Sequence, residues 1–469
     1  MILLSKKDVV WSYIAQFFKI ASGILILPII LRMLTTEEIA LNYLLASIVA
    51  MVGLLDFGFS PQFGRNITYI FSGAQELKRE GIQVVSKHQG INYKLLVTMI
   101  ETARYVYLRI AFLVVLLLAT LGTWYIYKVT NGLTSVDNAV LIWGVTILSC
   151  FFNFYYAYFD SLLIGRGLIK EAKKAAIFSK LVYIALAISF LYLGLGLLGV
   201  AISSLISAFV YRTVCYFYFY DNAFLKLIEG IQIDMLKRQE LFKTLWHNAR
   251  KLGLVFLSAY AINNFSIFLA GLYLDSDTIA SYGVLMQLTG IITTVSSTLF
   301  MSLNPTFSAL RTSGDNHKLV RVFAFSMNVY YVLFILGAFI LVVFGPGILH
   351  LLGANVILPS ATIMVVYSLI VFFEGNHSGY ATLIVTNNQV PFLKSSVIAG
   401  VFVAFGDYII LAFTPYGLLG LILVQGIVQL GYANWKWPWV ICKEFKFNFF
   451  SFLRMGIDES IHKVRNINA

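Results

Sequence analysis

The chain has 469 residues, of which 59% are hydrophobic and only 12% are charged, with a formal net charge of +12. Soluble domains carry about 25% charged residues, so this composition excludes a soluble globular enzyme, a disordered chain and a water-soluble coiled coil. It predicts a polytopic membrane protein.

Twelve stretches are long and apolar enough to cross a bilayer as helices. A helical span needs about 20 mostly apolar residues, and the stretches lie at 11–34, 38–58, 106–128, 139–164, 181–195, 197–220, 251–273, 279–303, 325–345, 357–385, 397–413 and 417–441. None alternates polar with apolar residues as the strands of a membrane barrel do. The sequence therefore predicts an all-α fold of about twelve transmembrane helices, in which the short stretch 181–195 borrows residues from its flanks.

The basic residues fall on one side of these spans. With the N-terminus inside the cell, 30 of the 34 lysines and arginines lie in segments that become cytoplasmic or at their edges, and only Arg32 and Lys128 lie at outer ends. Basic residues accumulate on the cytoplasmic side of membrane proteins, so both termini are predicted to be cytoplasmic. The net positive charge is then an orientation signal, and no nucleic-acid partner is predicted.

Two short motifs recur in the two halves of the chain. Ser60-Pro61-Gln62-Phe63 follows the second span, and Asn304-Pro305-Thr306-Phe307 follows the eighth. Gly-Leu-Leu-Gly stands at 196–199 and again at 417–420, each time before the last span of a half. Motifs at equivalent places indicate an internal repeat, here of two pseudo-symmetric six-helix lobes. The predicted domains are a lobe at 1–220, a cytoplasmic linker at 221–250, a second lobe at 251–441 and a cytoplasmic or interfacial tail at 442–469.

No motif for catalysis, a cofactor or a metal is found. Residues 194–199 match the GxGxxG pattern, but they form a turn between two membrane spans and follow no strand, so the context that gives the pattern its meaning is missing. Cys150, Cys215 and Cys442 form no CxxC pair. We therefore predict a protein that is not an enzyme, with no cofactor and no metal.

Polar residues form a stripe along the first predicted helix. Ser12, Gln16 and Lys19 follow one another at steps of three or four, which places them on one helix face. Such a stripe is typical of a helix that lines a wet cavity, where the Lys19 ammonium would suit an anionic substrate. The alternative is a lysine that extends to the inner headgroups.

The seventh span carries three further candidates for the substrate cavity. Asn263 and Asn264 lie at its middle, and Arg250 lies at its inner end. By the internal repeat this span corresponds to the first one. Hydrogen bonds between helices are the alternative role for the two asparagines.

Asp56, Arg65 and Asp160 are candidates for a cytoplasmic gate. They lie near the inner ends of the second and fourth spans. Acidic and basic residues at such places can pair when a cavity closes, although ordinary salt bridges at loop ends would use the same residues.

Glu374, His377 and Asp407 are candidates for ion coupling. Glu374 and His377 stand at i and i+3 within the tenth span, and Asp407 lies within the eleventh. An ionisable residue inside a span costs at least about 2.5–3.5 kcal/mol, so these side chains need a reason to be there. Ion or proton coupling is one reason, and a buried polar contact that sets helix packing is the other.

Several patterns in the sequence resemble those of Wzx-type O-antigen and capsule flippases. They are L-D-F-G-F-S-P at 55–61, R-N-I at 65–67, F-S-G-A at 71–74, G-R-G-L-I-K at 165–170 and the G-L-L-G turn at 196–199. The resemblance extends over the whole chain in architecture, and its sharp patterns lie mainly within 50–200. It implies the superfamily that also contains MATE drug exporters and lipid II flippases, and a V-shaped bundle of two six-helix lobes.

The resemblance also implies a function. Such proteins move undecaprenyl-diphosphate-linked oligosaccharide repeat units from the cytoplasmic to the periplasmic leaflet of the bacterial inner membrane, by alternating access with ion coupling. The implied partners are this lipid-linked oligosaccharide, membrane lipids, a polysaccharide polymerase and a chain-length regulator. Lys19 would supply the cation that a diphosphate needs.

Two other functions stay open. A MATE-type exporter, or another secondary exporter of small molecules, has a similar layout, but a MATE protein would be expected to carry an acid within helix 1, where this chain has Lys19. A membrane polysaccharide polymerase or ligase also acts on lipid-linked glycans. Such enzymes generally use a sizeable outer loop, whereas the outer connections predicted here are short.

Overall fold

The computed structural model describes residues 11, 14, 17–18, 25–77, 90–232, 235–312, 314–386 and 391–467. Within them the all-α prediction is confirmed, because every regular element is helical. In chain order the helices are α1 (25–33), α2 (Thr36–Gly53), α3 (Phe59–Phe71), α4 (Tyr93–Leu117), α5 (Thr123–Val129), α6 (Ala139–Tyr156), α7 (Tyr158–Arg166), α8 (Ile169–Tyr192), α9 (Gly196–Phe219), α10 (Asn222–Ile228), α11 (Met235–Asn263), α12 (Phe265–Tyr273), α13 (Ser276–Ser302), α14 (Asn304–Thr312), α15 (Asn316–Leu351), α16 (Ala361–Val385), α17 (Leu393–Phe413), α18 (Gly417–Gly431), α19 (Ala433–Phe445) and α20 (Phe449–Ile467).

Nine segments of the described chain are long and apolar enough to cross a membrane. They are 21 to 37 residues long and contain α2, α4–α5, α6–α7, α8, α9, α13, α15, α17 and α18–α19. A tenth span results if the bent pair Phe256–Asn263 and Phe265–Tyr273 crosses as one segment. The chain is therefore a multi-pass membrane protein.

The predicted spans agree with these segments where the structure describes them. The short stretch 181–195 belongs to the longer helix α8, as expected from its flanks. The predicted span 357–385 corresponds to α16, which has 25 residues but is not one of the nine, since Glu374, Asn376 and His377 lower its hydropathy. Of the first predicted span, 11–34, the structure describes 25–34 and four residues before it. A total of twelve spans is compatible with this arrangement.

The chain divides into two compact units, Met1–Tyr260 and Ala261–Ala469. Helix α11 continues through residue 250, where the linker was predicted to end. In the first unit α8 packs along α9, both α4 and α9 pack against α6, and α3 packs against α7. In the second unit α15 packs against α13 and α20, and α17 packs along α18.

Apolar side chains on the surface of α15 mark a side that faces lipid. Val332, Ile335, Phe339 and Val343 are each more than half exposed. They recur at steps of three or four and therefore share one helix face. Exposure of a contiguous apolar stripe to water is unfavourable, whereas lipid tails are as apolar as these side chains and can cover them.

The repeated Gly-Leu-Leu-Gly motif makes the same turn in both units. Its first glycine has a positive φ, 51° at Gly196 and 48° at Gly417, a conformation that glycine adopts without steric cost. Its last glycine packs closely on nearby side chains, because a Cβ at Gly199 would lie 2.6 Å from that of Phe190 and one at Gly420 would overlap Ile410. The motif therefore joins two helices of a hairpin at short range in each unit.

The flippase-like pattern at 55–61 forms the turn from α2 into α3. Phe57 and Gly58 both have positive φ, 45° and 76°, and a phenylalanine is uncommon in this conformation. Its ring lies against α11, where a Cβ on Gly253 would be 2.5 Å from a ring carbon of Phe57. The ring of Trp246 is 5.9 Å away, centroid to centroid. Packing against α11 thus stabilises an unfavourable backbone conformation.

Helices α3 and α7 approach closely through glycine. A Cβ on Gly165 would lie 2.5 Å from Cβ of Ile67 and 3.0 Å from the carbonyl oxygen of Gly64. Nearby, the hydroxyl of Ser161 donates a 2.9 Å hydrogen bond to the carbonyl oxygen of Ser60. The two stretches that carry the flippase-like patterns therefore pack against each other.

We expect Gly165→Val to lower the free energy of unfolding by about 1–3 kcal/mol, because the added side chain overpacks the contact with α3. Thermal unfolding of the purified protein in detergent measures the change. Gly144→Ala is the matched control, since a Cβ at Gly144 meets nothing within 4 Å. Equal stability of the two variants would show that the α3–α7 approach does not need glycine.

Candidate functional site

The predicted cavity residues of the first helix lie outside the described residues. This applies to Ser12, Gln16 and Lys19. Arg250 lies within α11, but its side chain is also outside the description. The proposed roles of these four residues stay predictions.

Asn263 and Asn264 lie at a break in the chain. Asn263 is the last residue of α11, and Asn264 has non-helical backbone angles, φ −133° and ψ −16°. The flanking helices differ in direction by 45°, so the continuous span expected over 251–273 is bent at the asparagines. A break at membrane depth leaves backbone groups without helical partners, and amide side chains are suited to bond them.

Asp56 connects three elements at one end of the first unit. The hydroxyl of Tyr107 on α4 donates a 2.6 Å hydrogen bond to Oδ1, and the backbone N–H of Ser60 at the start of α3 donates to Oδ2 at 3.2 Å. Asp56 itself follows α2 in a short 3₁₀ turn. Its role as a predicted gate residue stays untested, but these contacts give it a role in positioning α3. Sequence reasoning missed Tyr107, which no spacing rule connects to Asp56.

The other two predicted gate residues have partners of their own. The guanidinium of Arg65 donates to Gln62 on the same helix at 2.6 Å. Asp160 accepts a hydrogen bond from the hydroxyl of Tyr211 at 3.2 Å. In the described part of the chain, no ion pair joins Arg65 to Asp56 or Asp160.

Arg166, from the G-R-G pattern, ties α7 to the end of α9 and to α10. It forms a 2.6 Å salt bridge with Asp221, donates to the carbonyl oxygen of Phe219 and lies 4.6 Å from the ring centroid of Phe224. Asp221 also caps α10, where the backbone N–H of Phe224 donates to it at 2.7 Å. The hydrogen bonds from Phe224 and Arg166 hold the pKa of Asp221 below its usual value.

A cavity of about 350 Å³ lies between the start of α3, helix α4 and helix α11. Its charged lining residues are Arg109, Arg238 and Lys243, and we call it the basic cavity. Aromatic and aliphatic side chains form most of the remaining wall, and none of the described residues that line it is acidic. It is therefore suited to an anionic group attached to an apolar one.

Two helix faces build the basic cavity. They carry Tyr105, Arg109 and Leu113 on α4, and Arg238, Phe242 and Trp246 on α11, each set at steps of four. The guanidinium groups of Arg109 and Arg238 lie 4.1 Å and 4.4 Å from the ring centroid of Tyr105. The steps of four are visible in the sequence, but they do not show that the two faces meet.

A second cavity, of about 260 Å³, lies on the opposite face of α4. Five tyrosines line it together with Arg104, Arg212 and Glu101, and we call it the tyrosine cavity. It is more polar than the basic cavity, and it carries charges of both signs.

Asp407 of the second unit is fully buried, with 0% exposure. The hydroxyl of Ser266 on α12 donates to its Oδ2 at 2.7 Å. Its Oδ1 is buried and has no hydrogen-bond partner among the described residues. Asp407 is thus a carboxyl group with a single hydroxyl donor between α12 and α17.

Glu374 and His377 lie side by side on α16. Oε1 of Glu374 is 3.9 Å from Nδ1 of His377. Oε2 of Glu374 and both ring nitrogens are buried and form no hydrogen bond within the described chain. Next to them, the hydroxyl of Tyr331 on α15 donates to Asn376 at 2.7 Å.

Solved structures with the same arrangement of helices are membrane transporters. One is the lipid II flippase MurJ in an inward closed conformation, with a TM-score of 0.61 and 13% identity over 97% of this chain and 91% of that one. Another is an inward-facing multidrug resistance MATE family transporter, with a TM-score of 0.60 and 14% identity over 95% and 97%. A third is a MOP superfamily transporter from Pyrococcus furiosus, with a TM-score of 0.51 and 14% identity over 94% of this chain and 95% of that one.

The chain has the fold of MOP superfamily transporters. No protein-family model and no curated protein sequence matches it. At this identity the likeness shows the MOP fold alone, which confirms the predicted fold class. The narrower resemblance to Wzx-type flippases stays a prediction.

In this MOP fold, we expect Tyr107→Phe to lower the free energy of unfolding by about 1.5–3 kcal/mol, the usual contribution of a hydrogen bond to a charged group. Urea or thermal unfolding in detergent measures it. Tyr192→Phe is the control, because Tyr192 is 71% exposed at the end of α8. If both variants unfold like the wild type, the Tyr107–Asp56 bond does not hold these helices together.

Proposed function

We propose that the chain is a non-enzymatic flippase that moves undecaprenyl-diphosphate-linked oligosaccharide repeat units, of the O-antigen or capsule type, across the bacterial inner membrane. Transport would run from the cytoplasmic to the periplasmic leaflet by alternating access, with both termini cytoplasmic. The MOP fold and the sequence patterns at 55–74 and 165–170 support this proposal. Ser12, Gln16, Lys19, Asn263, Asn264 and Arg250 are proposed to line the transport cavity, and a polymerase and a chain-length regulator are proposed partners.

The basic cavity is the observation that carries the proposal. Its three cations suit a diphosphate, since guanidinium groups bind phosphate oxygens in pairs. Its apolar wall, from Ile110 and Leu113 to Phe242 and Trp246, suits the first part of an isoprenoid chain. An anionic head on a long apolar chain is the chemistry of a polyprenyl-linked substrate. Arg238 and Lys243 also lie in a segment that the charge pattern predicts to be cytoplasmic, and Arg109 lies within the span predicted at 106–128, near its inner end.

A MATE-type exporter is the second candidate, favoured by the similarity to a multidrug resistance transporter. The basic cavity argues against it for cationic drugs, because three positive charges without an acid would repel them. The flippase proposal agrees with both the fold and the charge of this cavity.

We expect Arg109→Gln and Arg238→Gln each to lower flipping by tenfold or more, because each removes a charge-assisted hydrogen bond to phosphate worth about 1.5–3 kcal/mol. The test uses a deletion strain complemented with each variant. Lipid-linked repeat units that reach the outer leaflet are quantified with a glycan probe that cannot cross the inner membrane.

Lys226→Gln is the matched control for these variants. Lys226 is an exposed cation on α10 and is not part of the basic cavity. Arg109→Lys keeps the charge but loses the planar fork, so we expect partial activity. Wild-type flipping by both glutamine variants, at equal protein levels, would refute the role of this cavity.

Ion coupling is proposed for Asp407, Glu374 and His377. Asp407 is buried beside one hydroxyl, and no described contact gives it a cation partner. Because Na⁺ requires several oxygen ligands, whereas a buried carboxyl that accepts one hydrogen bond can hold a proton, this setting favours H⁺. Glu374, beside His377, is a second carboxyl group in the same unit. Its Oε2 and both ring nitrogens of His377 are buried without a hydrogen bond to the described residues.

We expect Asp407→Asn to keep the protein folded but to remove the dependence of flipping on the proton gradient. Asparagine retains an acceptor for the Ser266 hydroxyl and cannot take up a proton. Flipping is measured in inverted vesicles with and without a protonophore, and Ser266→Ala is the control that removes only the hydrogen bond. An unchanged protonophore response in Asp407→Asn would assign this residue to helix packing.

A further inference from the structure

The transport proposal assigns no role to the residues that line the tyrosine cavity. Helices α4, α6, α7, α9 and α10 surround it at the end of the first unit that also holds Asp221 and Arg166. Since it lies on the face of α4 opposite to the basic cavity, the two are separate sites. Its lining holds two guanidinium groups, one carboxylate and five phenol rings.

The two arginines provide a place for a phosphate. Nε of Arg212 is buried and makes no hydrogen bond to the described residues. The rings of Tyr156 and Tyr216 hold its guanidinium, with centroids 5.3 Å and 5.6 Å away. Nε of Arg104 donates a long bond, 3.4 Å, to the hydroxyl of Tyr155. Guanidinium groups with unused donors are typical phosphate ligands in proteins.

The carboxylate and the rings provide a place for an ammonium group. Glu101 lies 3.7 Å from Arg104, a distance longer than a good ion pair, and its side chain is 34% exposed. Electron-rich faces of tyrosine rings attract ammonium ions within about 6 Å. Burial raises the pKa of Tyr220 to about 12, so at neutral pH its hydroxyl stays protonated and can donate to a phosphate oxygen.

We propose that the tyrosine cavity binds phosphoethanolamine, with the phosphate on Arg104 and Arg212 and the primary ammonium on Glu101 and the tyrosine faces. A purely anionic headgroup would place its negative charge beside the Glu101 carboxylate, and the two would repel each other. A trimethylated ammonium carries no N–H group and therefore cannot donate a hydrogen bond to that carboxylate. The same group occurs in the headgroup of phosphatidylethanolamine and in soluble O-phosphoethanolamine. The proposal does not depend on which substrate the protein transports.

The test is native mass spectrometry of the full-length protein in detergent, titrated separately with phosphatidylethanolamine, phosphatidylglycerol and phosphatidylcholine. We expect phosphatidylethanolamine to bind about tenfold more tightly than either other lipid. Arg212→Gln should weaken its binding about tenfold or more. Glu101→Gln should abolish the preference over phosphatidylglycerol while leaving the binding of phosphatidylglycerol intact or stronger.

Lys128→Gln is the control, because it removes one positive charge from an exposed site at the far end of the α4–α5 segment. Competition with soluble O-phosphoethanolamine identifies the source of the ligand. If O-phosphoethanolamine displaces the lipid, the headgroup alone suffices for binding. If it does not displace the lipid and the lipid selectivity is retained, the acyl chains contribute to binding. Either result supports the site.

Two results would overturn the proposal. One is equal binding of the three lipids by the wild-type protein, a result that does not depend on whether any variant folds. The other is a preference for phosphatidylethanolamine that Arg212→Gln, Arg212→Lys and Glu101→Gln all leave unchanged.

Discussion

In lipid, no water is available to bond a backbone N–H or C=O group, and each unsatisfied group costs several kcal/mol. This constraint explains the long helices of the chain and also where they depart from regularity. The chain bends at Asn264, a residue type whose amide is suited to bond freed backbone groups. The turns at Gly196 and Gly417 reverse the chain within a few residues. Close approach of backbones at Gly64 and Gly165 then packs helices without relying on a hydrophobic driving force, which lipid does not supply.

The same constraint gives meaning to charges that lie deep in the fold. In the first unit, arginines in and near the apolar segments rest against aromatic rings, as Arg109 does on Tyr105 and Arg212 on Tyr156. In the second unit, Asp407 and Glu374 carry buried oxygens without hydrogen-bond partners in the described chain. Ring faces therefore stabilise the charges of these arginines, whereas the two carboxyl groups keep oxygens that no described residue bonds.

The patterns that resemble those of flippases have structural roles in this chain. Phe57 and Gly58 turn α2 into α3, and Asp56 fastens that turn to α4 through Tyr107. Gly165 lets α7 approach α3, and Arg166 joins α7 to Asp221. These contacts hold together the end of the first unit where both cavities lie. The patterns therefore report how the scaffold is built, and the residues proposed to bind ligands lie outside them.

The sequence by itself determined the fold class and the places of most spans, because hydropathy acts locally along the chain. It also located the two Gly-Leu-Leu-Gly turns, since a glycine turn needs only neighbouring residues. Only the tertiary structure showed that Asp56 pairs with Tyr107 and that the chain breaks at Asn264. It alone also showed that the helix faces of Arg109 and Arg238 line one cavity. Each depends on which helices become neighbours, and that is decided by packing between residues far apart in the chain.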